Sequence, residues 1–113
     1  MRTAEDLIAG YRQLIARAHS MSPHIKIYGA TLTPFEGAFE GYYSPEKDKI
    51  RMEVNEWIRT GGAFDAVIDF DAAIKDPDHP LRIAPEYDSG DKLHPGDAGY
   101  RKMADSIELS LFE

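Results

Sequence analysis

Residues 91–100 read Asp-Lys-Leu-His-Pro-Gly-Asp-Ala-Gly-Tyr, a turn that sets a carboxylate and an imidazole three positions apart just ahead of a helix. One tight turn can bring the Asp91 side chain against the far ring nitrogen of His94, which fixes the tautomer of the imidazole and stabilises its protonated form. A base oriented in this way is half of what nucleophilic catalysis through a hydroxyl requires. Pro95 and Gly96 bend the chain so that the next helix starts cleanly, with Asp97 expected at its N-cap. That helix is expected to run from about 97 to 111 and to bury Tyr100, Met103, Ala104, Ile107 and Leu111.

The same residues resemble the C-terminal catalytic block of the GDSL or SGNH hydrolase family, serine esterases and lipases in which Asp-x-x-His-Pro is followed by Gly-Tyr and a final helix. Asp91, His94, Pro95, Gly99, Tyr100, Met103, Ala104 and Ile107 carry the likeness. The resemblance implies an α/β fold, a partial three-layer α/β/α arrangement (flavodoxin-like, of SGNH hydrolase type) with a short parallel sheet. It covers residues 1–113 as a single domain corresponding to the later portion of a longer family domain. The family's Gly-Asp-Ser segment, which carries the nucleophile, is absent from the sequence, as are its Gly and Gly-x-Asn-Asp blocks that build the oxyanion hole. Carboxylic-ester hydrolysis is therefore implied for the complete domain, with His94 as base and Asp91 as its orienter. The substrate implied is a small-molecule ester, and acyl transfer through serine needs no cofactor. The alternative is a non-catalytic α/β remnant that keeps the fold elements as a binding surface.

Outward from the motif, periodicity gives alternating helix and strand. Thr3 followed by Asp6, with Leu7, Tyr11, Leu14, Ile15 and Ala18 at helical spacing, predicts an amphipathic helix over 3–20. Ile25 through Leu32 reads as a buried strand, and 34–43 as a loop carrying Phe35, Phe39, Tyr42 and Tyr43. Packing over the sheet edge and lining a pocket for an acyl or sugar group are equally open roles for that loop. Ser44-Pro45-Glu46 starts a helix with Ile50, Val54, Trp57 and Ile58 on one face, closed by Gly61-Gly62. Residues 64–70 read as a second strand, and the polar stretch 71–90, with Pro77, Pro80 and Pro85, as a long surface loop. Two parallel strands alone are hard to stabilise, so the pattern predicts self-association or docking with an N-terminal segment through an unpaired edge.

Composition removes several classes. With 20 acidic against 13 basic residues the 113-residue chain carries a formal charge of −7, which repels phosphate backbones and argues against nucleic acid. No apolar run approaches a membrane span, and residues 1–9 lack the basic start and long apolar stretch of a leader. Without cysteine there are no disulfides, thiolate metal sites or thiol nucleophile. The six serines, 20, 22, 44, 89, 106 and 110, stand in caps, helices and loops, Ser89 being the best placed for chemistry. Asp69-x-Asp71 resembles the start of a calcium loop, but Ile74 stands where that loop requires glycine, so a solvated acidic loop is expected.

Overall fold

A computed structural model describes residues 3–113; Met1 and Arg2, part of the stretch read for a leader, lie outside it. Thr3 caps helix α1, Ala4–Met21, through a reciprocal box in which its hydroxyl accepts from the Asp6 N–H and its own N–H donates to the Asp6 carboxylate, both at 3.2 Å. Strand β1, Tyr28–Ala30, leads through the aromatic loop to helix α2, Pro45–Thr60, capped by Ser44. Strand β2, Ala66–Ile68, follows. It pairs with β1 in parallel, Tyr28 opposite Ala66 and Ala30 opposite Ile68. Both strands are shorter than the spacing predicts, although backbone bonding runs one residue past them at each end: the Asp65 N–H donates to the Ile27 carbonyl at 2.8 Å and the Thr31 N–H to the Ile68 carbonyl at 3.1 Å.

The stretch expected to be an irregular loop, 71–90, is instead ordered. Asp69 caps a short helix α3, Phe70–Ile74, by accepting from the Ala72 N–H at 3.1 Å. A hairpin comes next, β3, Lys75–Asp76, against β4, His79–Ile83. Its tight connection is held by the Asp76 carboxylate accepting from the Asp78 N–H at 2.9 Å, a local bond that favours turns. Pro80 is tolerated in β4 because the hairpin has only two strands and so no central position. A 3-10 turn, Pro85–Tyr87, leads to the site loop and then to helix α4, Asp97–Asp105. The last helix thus stops before 111, and a second 3-10 turn, Leu109–Phe112, ends the chain. Gly96, not Asp97, occupies the cap. Tyr100 is 53% exposed and Ala104 is also exposed, so the inward face of α4 is Gly99 and Met103 rather than the broad apolar stripe expected.

The layers follow from strand alternation. Gly29 faces α1 and α2: a Cβ there would meet the Phe64 ring at 2.5 Å, and Phe64 packs on the core of Ala4, Val54 and Ile58 together with Leu7, Tyr11, Ile50 and Trp57. On the opposite face Tyr28 meets Phe112 edge-on at 5.7 Å, and its hydroxyl donates to the Leu111 carbonyl. This is an α/β fold with a short parallel sheet between helical layers. No helix among the described residues is long and apolar enough to cross a membrane.

A buried polar network ties the C-terminal ends of both strands together. Asn55, 1% exposed, accepts from the Leu32 N–H at 2.7 Å and donates to the Leu32 carbonyl at 2.8 Å. Arg51 donates to Asp48 at 2.6 Å, to Asp71 at 2.9 Å and to the Leu32 carbonyl at 3.2 Å. Arg59 binds both Asp69 and Asp71, and the Thr31 hydroxyl joins Asp69 to the Asp71 N–H. The acids read as a solvated loop are therefore ion-paired, and Asp71 is buried. Hydrogen bonding to Arg59, against some opposing burial, holds the Asp69 carboxyl at about 2, below its ordinary 3.8.

Candidate active site

The loop between the 3-10 turn and α4 is cinched at its base: the Ser89 N–H donates to the His94 carbonyl at 3.0 Å and the Gly96 N–H to the Tyr87 carbonyl at 2.8 Å. Inside it two aspartates fold the chain around their own carboxylates. Asp88 Oδ1 accepts from the N–H groups of Gly90 and Lys92, which lets Lys92 sit at φ 58° and Gly90 at φ 124°. Asp91 Oδ1 accepts from the N–H groups of Leu93 and His94 at 2.9 and 2.8 Å and from the Ser89 hydroxyl at 3.2 Å. Its other oxygen, Oδ2, accepts from His94 Nδ1 at 2.7 Å.

The two site residues expected from the sequence are thus brought together. The His94 N–H, then its ring, then the Leu93 N–H hold the Asp91 carboxyl well below the usual carboxylate range. With Nδ1–H donating to this anion, a neutral ring carries its lone pair on Nε2. The His94 side chain is 64% exposed, so that lone pair is accessible. Such a pair can withdraw a proton from an alcohol and return it. Sequence reasoning missed Asp88; its signal was the Asp-x-Gly spacing of 88–90, an aspartate two residues before a glycine that can take positive φ.

Helix α4 meets the loop at Gly99. A Cβ on Gly99 would lie 2.3 Å from the Tyr87 carbonyl oxygen and 2.8 Å from Pro95 Cβ. Gly99→Ala should therefore push α4 off the turn and destabilise the chain by about 1–3 kcal/mol, the usual cost of overpacking. Thermal melting checks this: an unchanged Tm would mean that the close approach is not needed.

Four of the six serines make local hydrogen bonds through their hydroxyls. The Ser44 hydroxyl accepts from the Lys47 N–H, and those of Ser20 and Ser106 donate to backbone carbonyls. Ser89 donates to Asp91. Among the described residues no hydroxyl hydrogen-bonds to the His94 ring. The other histidine with an acidic partner, His79, lies 2.6 Å from Glu36, which also accepts from Arg82 at 3.0 Å and so staples the hairpin to the aromatic loop. In that loop Phe35 packs on Tyr43 and Tyr42 at 4.9 and 6.0 Å between ring centres, and Phe35 and Tyr42 form one wall of an open cavity that also touches Leu93. No cluster of potential ligands for a metal ion occurs among the described residues.

Comparison with known proteins places these features in context. The profile of the GDSL-like Lipase/Acylhydrolase family matches residues 1–102. No curated protein matches the chain. Among solved structures, the esterase domain of the ORF1 protein from the zebrafish ZfL2-1 retrotransposon superposes with a TM-score of 0.64 at 20% identity. That match covers 100% of this chain and 65% of the other, so the chain spans under two thirds of the length of the domain it resembles.

Proposed function

The chain belongs to the GDSL-like lipase/acylhydrolase family, and from that membership we propose that it is the base-bearing part of a carboxylic-ester hydrolase. The observation that carries the reading is the 2.7 Å contact between Asp91 Oδ2 and His94 Nδ1 on an exposed, self-ordered loop. His94 Nε2 takes the proton of a serine hydroxyl as its oxygen attacks the ester carbonyl, then delivers that proton to the departing alcohol. Asp91 stays ionised and holds the ring. The serine comes from a segment beyond these 113 residues. It would dock where β1 presents its unpaired edge, since among the described residues β1 pairs only with β2. The zebrafish esterase domain, of which this chain spans 65%, is consistent with such a missing part.

A second reading has one observation in its favour: among the described residues no serine hydroxyl bonds to the His94 ring. It makes the chain a binding module that has kept the family fold without hydrolytic work. Fluorophosphonate labelling and p-nitrophenyl acetate hydrolysis separate the two. The chain alone should be silent, and co-expression with a Gly-Asp-Ser segment should yield a labelled serine on that segment. Labelling of a serine within residues 3–113 would overturn the division of labour. Continued silence of the assembled pair, with tight association seen by sedimentation, would favour the binding module.

A further inference from the structure

Asp88, the other carboxylate of the site loop, acts on the backbone and not on the imidazole. Its own main chain is the fixed point of the loop: its N–H donates to the Pro85 carbonyl at 3.4 Å, closing the 3-10 turn, and the residue forms an antiparallel bridge with Pro95 across the loop's base. From that anchor Oδ1 accepts the Gly90 N–H at 3.1 Å and the Lys92 N–H at 2.9 Å. These two donors stand immediately before and after Asp91 in the chain. One oxygen therefore fixes both flanks of the residue that orients His94, and with them the direction in which the Asp91 side chain leaves the backbone.

The conformation held in this way is not one that lysine favours. Lys92 sits at φ 58°, the left-handed region in which a Cβ crowds the following carbonyl oxygen. Asparagine and aspartate relieve that crowding with a short polar side chain, which lysine lacks. What Lys92 has in its place is its N–H on the Asp88 carboxylate. Without that bond residue 92 would relax to negative φ, and the chain leading into Leu93 and His94 would turn with it. Every bond between Asp91 and those two residues spans this pivot: Oδ1 to their N–H groups at 2.9 and 2.8 Å, and Oδ2 to the ring Nδ1 at 2.7 Å.

We infer that Asp88 is a positioning residue for the base: by holding Lys92 left-handed it sets the contact of Asp91 with His94, and so the tautomer that leaves the lone pair on Nε2. The inference rests on the ester-hydrolase reading for its purpose, but its test is read on the chain alone. Long-range proton–nitrogen NMR spectra, recorded where the ring is neutral, report which ring nitrogen carries the proton, and the His94 signals are those that His94→Ala removes. The unaltered chain should show the proton on Nδ1. Asp88→Ala should lose that single-tautomer pattern, whereas Asp88→Asn, which keeps an acceptor at Oδ1, should retain it. Adding Lys92→Gly to Asp88→Ala should restore the pattern in part, because glycine enters positive φ without steric cost. Circular dichroism checks that each variant folds. Asp88→Ser is the second variant should the alanine chain unfold; its hydroxyl closes the same turn more weakly and should give an intermediate pattern. In the assembled domain Asp88→Ala should lower kcat about a hundredfold with KM unchanged, the scale of a misplacement of about 1 Å.

A His94 proton that stays on Nδ1 in the folded alanine or serine variant would overturn the inference. So would an asparagine variant as altered as the alanine one, or a double variant with no recovery, since the effect would then run through neither the acceptor nor residue 92. Failure of the ester reading is distinguishable: the tautomer would still respond to Asp88→Ala while the assembled domain stayed unlabelled by fluorophosphonate.

Discussion

Asp91→Asn should lower ester hydrolysis by the assembled domain about ten-thousand-fold while leaving its Tm almost unchanged. The amide can keep its carbonyl oxygen toward the N–H groups of Leu93 and His94, where Oδ1 now accepts two backbone bonds. It must then turn its NH₂ toward His94 Nδ1. Two donors cannot share that contact, so the ring moves its proton to Nε2 and loses the lone pair needed to accept from an alcohol. His94→Ala, which removes the base itself, should be at least as damaging, general-base action alone being worth about 10²–10⁴-fold. Steady-state hydrolysis of a p-nitrophenyl ester and the imidazole nitrogen shifts in NMR test the pair. A loss of less than about tenfold for Asp91→Asn, or a ring still protonated at Nδ1, would remove Asp91 from the role of orienter. Because the folded-state pKa of Asp91 is lowered, its ionised contribution is fully present above the ordinary carboxylate range and is lost only as pH falls well below it. The acid limb of the activity profile should therefore not titrate with Asp91.

Asp71→Ala should have the largest effect on stability, about 3 kcal/mol, lowering the Tm by about 10 °C. The side chain is buried and receives Arg51 at 2.9 Å and Arg59 at 2.8 Å. Removing it leaves Arg51, with a side chain only 6% exposed, short of one of its two carboxylates. Against a total stability of about 5–15 kcal/mol, that loss leaves little margin. Asp71→Asn keeps the shape and one acceptor and should cost less than the alanine variant. Denaturant unfolding of both variants checks the order; equal and small losses would mean that the network contributes no net stability. The same network has an acid limit. The lowered pKa of Asp69 means that its contribution is present above 3.8 and fades as pH falls toward about 2.

The two long helices, α1 and α2, and the start of α4 were legible in the sequence because their signals are local. Thr3 with Asp6 and Ser44 with Pro45 announce helix starts by bonds made within one turn. Asp91 and His94 are bonded across a single turn, and their spacing together with the family likeness of Pro95, Gly99 and Tyr100 pointed to their meeting. What was misread depends on contacts distant in sequence. The hairpin of 75–83 is held to the aromatic loop by Glu36, which bonds to His79 and Arg82 from more than forty residues upstream. Asp69 and Asp71 look like loop acids until Arg51 and Arg59 of α2 are placed against them. A clue did exist: Asp48, Arg51, Asn55 and Ile58 recur at helical spacing, so polar residues shared the buried face of α2. The last helix was overextended because apolar spacing continues past Asp105, while Ser106 bonds back to the Met103 carbonyl and turns the chain aside.

The loop of residues 88–96 takes its shape from the carboxylates of Asp88 and Asp91 and from two backbone bonds, one within it and one to Tyr87 just before it. Were a serine-bearing segment to complete the site as proposed, a loop already folded by its own bonds would add little ordering cost to that union. The kinetics of complementation would then be set by encounter and docking of two preformed surfaces.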